Sequence, residues 1–341
     1  MTQPVEIALV GCGAIAQRGY LPALNLVPDV RCLWLVDVNR RLAENLASRF
    51  GIPNSTDNYL PVLDQVEAVI LAVPTHLHAR MAHEALDRGK AVLCEKPLGR
   101  TTKEVSGMLA VSERAGLPLV PGMIFRQYPG LQQIQAALLW DVLGTLREVR
   151  ASYGNPLDWP VSSVSFFDRE IVGGGVLLDL GIHVIDSLFW VLSLEEASVT
   201  QYCDDGESGM EAEAKAHLTI RLAENRGSVP CLFEVSRLRR LKNCIEILGE
   251  KESLIMPLSS SLAPRLRKGG GSKLALAQSV SPRTEIECFG EQIKAFVRRL
   301  RGLEANCATG ESQIHVLKII ESCYAVRKSL AFSWQDYGPW T

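Results

Sequence analysis

Short apolar runs alternate with helical patterns over the first third of the chain. The runs cover residues 5–10, 31–37, 68–73, 91–94 and 117–120; Gly11 stops the first and Pro74 the third. Between them the apolar spacing predicts helices over 14–26, with a kink at Pro22, and over 39–50, with Gly51 as C-cap. Two more are predicted over 78–88, ending at Gly89, and over 102–115, with Thr101 as N-cap. Strands separated by helices of this length imply βαβ units, wound right-handed into a parallel sheet covered on both faces.

The pattern changes near Gly122. A helix over 129–140 and an alternating strand over 146–153 precede a long apolar helix over 175–192. Strands are then predicted over 198–202, 212–222, 229–237 and 244–248, followed by helices over 286–303 and 313–329. The alternation from Ala214 to Leu222 suits a sheet with one wet face. The predicted architecture is α/β: a doubly wound Rossmann sheet over residues 1–123, then an α+β domain over 124–341 with a large, mostly antiparallel open sheet. The segment 259–282, with Ser259-Ser260-Ser261, Gly269-Gly270-Gly271 and the cations Arg265, Arg267, Lys268 and Lys273, reads as a mobile loop. Its charge also hints at an anionic substrate.

Composition narrows the class. The 341 residues are 47% hydrophobic and 22% charged, as in ordinary globular proteins. A formal net charge of -2 lacks the basic footprint of a nucleic-acid binder. No apolar run reaches the ~18 residues that span a bilayer, and residues 1–6 have no basic leader region. The 9 cysteines are scattered, with no Cys-x-x-Cys pair and no zinc spacing, so reduced thiols and a cytoplasmic location are expected, and no metal.

Gly11-Cys12-Gly13-Ala14-Ile15-Ala16 follows the first strand and opens a helix. In that setting it reads as a dinucleotide fingerprint: Gly11 for the turn, Gly13 for backbone approach to a pyrophosphate, Ala16 for close packing. The helix N-terminus then offers free N–H groups to the phosphates. Asp37, at the end of the second strand, stands where an acid holds the ribose 2′-hydroxyl. A carboxylate there repels a 2′-phosphate and favours NAD; Arg40 and Arg41 keep NADP open.

Three further segments resemble the Gfo/Idh/MocA family of sugar and cyclitol oxidoreductases. They are Pro74-Thr75-His76-Leu77-His78, Glu95-Lys96-Pro97, and Gly173-Gly174-Gly175 through Asp179-Leu180-Gly181-Ile182-His183, in family order. The resemblance spans nearly the whole chain. It implies cofactor contacts at Pro74, Thr75, His78, Glu95 and Lys96, and a second domain whose sheet carries the substrate site and often oligomer contacts. A homodimer or homotetramer is therefore expected.

Asp179, His183 and Asp186 interrupt the long apolar helix on one stripe. Without the resemblance, Asp179 and His183 equally suit a structural hydrogen bond between two buried groups. With it, they are expected to be catalytic, His183 as general base and Asp179 orienting it or binding a neighbouring hydroxyl; Asp186 is left structural. Lys96 lies just past a parallel strand, where ligands of open α/β sheets bind; the resemblance implies that it touches both substrate and nicotinamide ribose, where it would stabilise alkoxide charge. The resemblance also makes Arg126 and Tyr153 substrate-contact candidates, and Tyr153 and Trp159 are expected to border the nicotinamide. The expected activity moves hydride between a secondary hydroxyl of a sugar, nucleotide sugar or cyclitol and NAD(P). Two alternatives remain: a non-catalytic regulatory binder of the same fold, and an enzyme with a transient internal hydride step.

Overall fold

A computed structural model describes residues 3–137, 140–157, 168–206, 210–224, 226–268, 273–275 and 281–330, without the side chains of 136–141, 268 and 273–275. Trp159 lies outside the described residues.

The first sheet has six parallel strands: β1 (Val5–Val10), β2 (Val30–Val36), β3 (Asn54–Thr56), β4 (Ala68–Leu71), β5 (Ala91–Glu95) and β6 (Leu119–Gly122). Their order is β3-β2-β1-β4-β5-β6, so the order reverses beside β1, the crevice where doubly wound sheets bind ligands. β4 and β5 are buried at every position, as strands covered on both faces must be. Gly51 and Thr101 cap as predicted, whereas Asn39, expected as the first helical residue, is itself an N-cap. Asn39 caps helix Arg40–Phe50 and Gly51 closes it at φ 68°, while the Thr101 side chain accepts from Glu104 N–H at the start of helix Thr102–Ala115.

The second sheet has nine strands. They are β7 (Leu146–Gly154), β8 (Leu194–Asp204), β9 (Glu213–Leu222), β10 (Ser228–Ser236), β11 (Cys244–Gly249), β12 (Glu252–Pro257), β13 (Arg265–Lys268), β14 (Lys273–Ala275) and β15 (Lys328–Ser329). The order is β14-β13-β12-β11-β7-β10-β9-β8-β15, antiparallel except for β7 with β10 and β8 with β15. Arg265–Lys268 and Lys273–Ala275 are edge strands, which corrects the expectation of a loop over these residues. Of Arg265, Leu266 and Arg267 only Leu266 is buried, too short an alternation to read from sequence.

The helix Ile182–Leu192 packs on the inner face of this sheet. The continuous helical stretch Arg169–Leu192 is apolar enough to cross a membrane by composition, yet 83% of its apolar window is buried inside the protein. It is a core element.

The helix Glu285–Leu300 returns to the first sheet. Thr284 and Glu287 close a capping box at its start. Its face of Phe289, Ile293, Phe296 and Val297 joins the core formed by Ile7, Leu9, Leu21 and Leu35. Gly19 permits this contact, since a Cβ there would meet the Phe289 ring at 2.5 Å. This helix thus completes the cofactor-side core, although it lies within the 124–341 segment expected to form the second domain.

Candidate active site

The glycine turn has the form its residues predict. Gly11 lies at φ 96°, and a Cβ would meet the carbonyl oxygen of Ala72 at 2.3 Å, so only glycine fits. At Gly13 a Cβ would meet nothing within 4 Å. The absence of a side chain there serves no protein contact; it leaves the N-terminal end of the first helix open above Gly13, Ala14 and Ile15. That is the cradle a pyrophosphate requires. Asp37 clasps the turn: one carboxylate oxygen accepts from Cys12 N–H at 2.7 Å, the other from Asn39 N–H at 2.8 Å. Arg40 is exposed nearby and paired with Glu44 at 2.9 Å. Pro74 and Thr75 follow β4 at the same end of the sheet.

Across the cleft stands the end of β5, where Lys96 precedes a cis peptide bond to Pro97. Its Nζ lies 2.6 Å from Asp179 Oδ1 and 2.8 Å from the Asp179 carbonyl oxygen. Asp179 occupies a π turn, Leu177–Gly181, at the head of the long helix. Such turns shift the helical hydrogen-bond register and recur at functional sites; here a carbonyl of the turn accepts from a side chain. Glu211 fixes the turn, accepting from Gly175 N–H at 2.9 Å and Leu177 N–H at 3.2 Å. A Cβ on Gly175 would lie 2.2 Å from the Glu211 carbonyl oxygen, so this glycine is sterically required.

The second oxygen of Asp179 pairs with Arg237. Burial alone would raise this carboxyl, but Lys96 and Arg237 hold it well below the usual range. Both oxygens are engaged by cations, which corrects the expectation that Asp179 orients His183. No hydrogen bond joins the two among the described residues, and the buried His183 Nδ1 has no partner there. His183 lies one turn further along and is oriented by stacking on Phe125, with centroids 4.5 Å apart and planes at 19°. Phe125 in turn meets Tyr153 edge-on at 5.3 Å. Burial, with Lys96 and Arg237 adding to it against Asp179, pushes the His183 imidazolium well below its ordinary pKa.

Three other expected contacts prove to be framework. Arg126 is buried, and its guanidinium forms a two-pronged pair with Asp186 at 2.8 and 2.9 Å. Gln313 also donates to Asp186, at 3.2 Å. Arg126 therefore holds the long helix rather than a substrate, and Asp186 is structural. The Glu95 carboxylate is buried and accepts from Tyr20 Oη at 2.7 Å and Lys96 N–H at 3.1 Å. It braces the lysine's backbone from within instead of facing the cofactor cleft. The His78 ring is buried with its nitrogens 2.9 Å from the carbonyl oxygens of Val73 and Pro97. It ties together the loops after β4 and β5 and is not free to meet a cofactor.

Arg237 is the residue the sequence reading missed. The signal was present in the pleat. Phe233 and Val235 face the core, and the period of two continues to Arg237 just past β10, on the side where Asp179 lies.

Comparison with known proteins agrees with this architecture. Residues 5–123 match the family described as "Oxidoreductase family, NAD-binding Rossmann fold", and residues 131–255 match the GFO/IDH/MocA C-terminal domain. The chain is 33% identical over 329 residues to trans-1,2-dihydrobenzene-1,2-diol dehydrogenase of Mus musculus, covering 94% of this chain and 88% of that protein. Among solved structures, a 3-ketoreductase from Actinomadura kijaniata in complex with NADP and TDP-benzene superposes with a TM-score of 0.82 at 22% identity, over 97% of this chain and 100% of that one. Levoglucosan dehydrogenase in complex with NADH and levoglucosan superposes with a TM-score of 0.79 at 20% identity, over 95% and 98%. The fingerprint, the Glu-Lys-Pro turn and the Asp–His helix thus sit on one shared fold, and the chain belongs to the Gfo/Idh/MocA family of oxidoreductases, with an NAD-binding Rossmann domain.

Proposed function

We propose that the chain catalyses reversible hydride transfer between a secondary carbinol of a sugar-type substrate and a nicotinamide dinucleotide. The observation that carries this reading is the convergence of Lys96, from the carboxyl end of the cofactor sheet, on Asp179 of the second domain, one turn from His183. The similar proteins include dehydrogenases of a dihydrodiol and of levoglucosan, both alcohols, and a 3-ketoreductase, whose name gives the reverse chemistry. The nicotinamide ring, when bound, supplies or accepts the hydride. Gly13, Ala14 and Ile15 would hold its pyrophosphate and Asp37 the adenine-side ribose. We favour NAD over NADP because the Asp37 carboxylate stands at that ribose and Arg40 is engaged by Glu44.

The protein's own groups divide the proton work. An ammonium has three N–H donors; Lys96 gives two to Asp179, which leaves the third for the substrate oxygen. That donor stabilises alkoxide charge as the hydroxyl proton leaves. His183 Nδ1 is sealed from solvent, so Nε2 is the atom that takes the proton. Because His183 stays neutral down to acid pH, it is ready to accept throughout the physiological range. In the reverse direction Lys96 polarises the carbonyl oxygen. Arg237 fixes the Asp179 carboxylate so that Lys96 is held from one side only.

The test is NADH absorbance at saturating NAD with a panel of polyols, anhydrosugars, cyclitols and nucleotide sugars. Turnover with at least one is expected, and it should disappear in Lys96→Met. Confirmed cofactor binding with no turnover across the panel would refute the reading. Cofactor retained through purification, with exchange between two sugars and no net NADH, would replace it with an internal hydride cycle.

A further inference from the structure

The Lys96–Asp179 pair joins the cofactor sheet to the long helix, so its spacing depends on what holds those two elements together. The helix Gly310–Ala325 touches both sides. It packs on the helix Thr102–Ala115 of the cofactor half and on the helix Ile182–Leu192. Glu321 and Tyr324, three positions apart, are neighbours on its surface. Glu321 accepts from the Thr102 N–H at 2.8 Å and from its hydroxyl at 3.0 and 3.1 Å, at the start of the helix that follows the Lys96-Pro97 turn. Tyr324 donates its hydroxyl to Glu211 Oε1 at 2.7 Å.

Glu211 is where the substrate side is assembled. Successive N–H groups at the head of the long helix have no partner within it. Here Gly175 and Leu177 give theirs to Glu211 Oε1, and Val176 gives its own to the Glu211 carbonyl oxygen at 2.8 Å. Asp179 N–H in turn donates to the Gly175 carbonyl oxygen at 2.9 Å. The next residue in the chain, Ala212, accepts from Arg237 N–H at 2.7 Å. Residues 211 and 212 thus anchor the backbone on both sides of the Asp179–Arg237 pair. Glu211 is buried, at 2% exposure, and its hydrogen bonds replace the water it has lost. A helix start needs only one such acceptor. The hydroxyl from a second helix and the adjoining link to Arg237 tie this one to the site.

We propose that Glu211, braced by Tyr324, is a positioning residue. It sets the Asp179 carboxylate against Lys96 and Arg237 without touching substrate or cofactor. The effect on turnover rests on the hydride-transfer reading; the placing of Lys96 does not.

The test is steady-state kinetics on the full chain, paired with reductive methylation of its amines read by mass spectrometry. Since a displacement of about 1 Å can cost about 10² in rate, Glu211→Ala is expected to lower kcat about tenfold or more, with KM for NAD unchanged. Glu211→Gln keeps an Oε1 acceptor for all three donors and should restore most of kcat. Tyr324→Phe keeps the ring beside Tyr202 and Arg169 and removes only the hydroxyl; a smaller fall in kcat is expected. Thr309→Ala removes the cap at the far end of the same helix, and should lower the urea midpoint while leaving kcat unchanged. Two donors of Lys96 are held by Asp179, so its amine must break free to react. Glu211→Ala and Tyr324→Phe should therefore label Lys96 faster than the wild type does, relative to the exposed Lys318. Should Glu211→Ala fail to fold, Tyr324→Phe carries the test. Wild-type kcat and labelling in that variant would overturn the proposal. So would a Glu211→Gln as impaired as Glu211→Ala, or a Thr309→Ala that loses as much kcat as Tyr324→Phe. Faster labelling in the variants, with no turnover of any alcohol by the wild type, would leave the positioning role standing and remove the dehydrogenase reading.

Discussion

Asp179→Asn replaces the carboxylate between two cations by an amide of nearly the same shape. At 2.6 Å from Lys96 Nζ, with an effective dielectric near 20, the direct Coulomb attraction is about 6 kcal/mol. Most of that is cancelled by the cost of drying the ions. Removing one partner of a buried ion pair typically costs 3–5 kcal/mol, because the remaining charge is stranded. Asp179 is 25% exposed at its side chain, so water screens part of this, and about 3 kcal/mol is the expected loss of stability at pH 7. The amide N–H groups would also face the Arg237 donors, so rotation cannot satisfy both neighbours. The assay is urea unfolding of wild type and variant across pH. Asp179 has a depressed folded pKa, so its contribution is full above the unfolded carboxyl value near 4 and is lost as pH falls further. The gap between the two proteins should therefore be constant from pH 8 to 5 and shrink below about pH 4. Equal unfolding midpoints at pH 7 would refute the electrostatic reasoning.

His183→Ala is expected to lower kcat by about 10² or more with NAD affinity unchanged, measured by steady-state turnover and by cofactor titration; near-normal turnover would remove its role as base. In the wild type, the acid limb of kcat/KM for oxidation should fall below pH 6.5, since His183 must be neutral to accept a proton and its folded pKa is lowered; Arg237→Gln removes one of the cations that lower it and should move that limb to higher pH. Asp37→Ala should weaken NAD binding more than NADP binding in fluorescence titrations, and equal losses would undo the cofactor preference. Gly175→Ala should cost at least about 2 kcal/mol in denaturant unfolding, because its methyl would overlap the Glu211 backbone and force the π turn to move.

The βαβ half was legible because its signals are local. Buried strands, turn glycines and caps each occupy a few consecutive residues, and Gly51 and Thr101 both cap where the pattern placed them. The pairing of polar groups was not legible, because it depends on partners far apart in sequence. Arg126 and Asp186 are 60 positions apart, and nothing in the local pattern separates an arginine that grips a carboxylate in the core from one that grips a ligand. The same holds for Asp179 and Arg237, 58 positions apart, whose contact displaced the expected Asp–His bond. The strand Arg265–Lys268 was not legible for a different reason. With Leu266 buried between exposed Arg265 and Arg267, it carries almost no apolar periodicity, so its order comes from the neighbouring strand.

The helix Glu285–Leu300 sends Gln292 into the cofactor half, where its amide donates to Tyr20 Oη at 3.1 Å, the hydroxyl that holds Glu95 beside Lys96. The support of the lysine therefore spans the chain from residue 20 to residue 292. During synthesis at roughly 5–20 residues per second, the segment between β6 and this helix takes on the order of ten seconds or more to emerge. Throughout that interval the glycine turn exists without the Gln292 brace behind Lys96. A nascent or truncated cofactor half would thus lack the support that Gln292 gives to Tyr20 and Glu95 behind Lys96, which arrives only with residue 292.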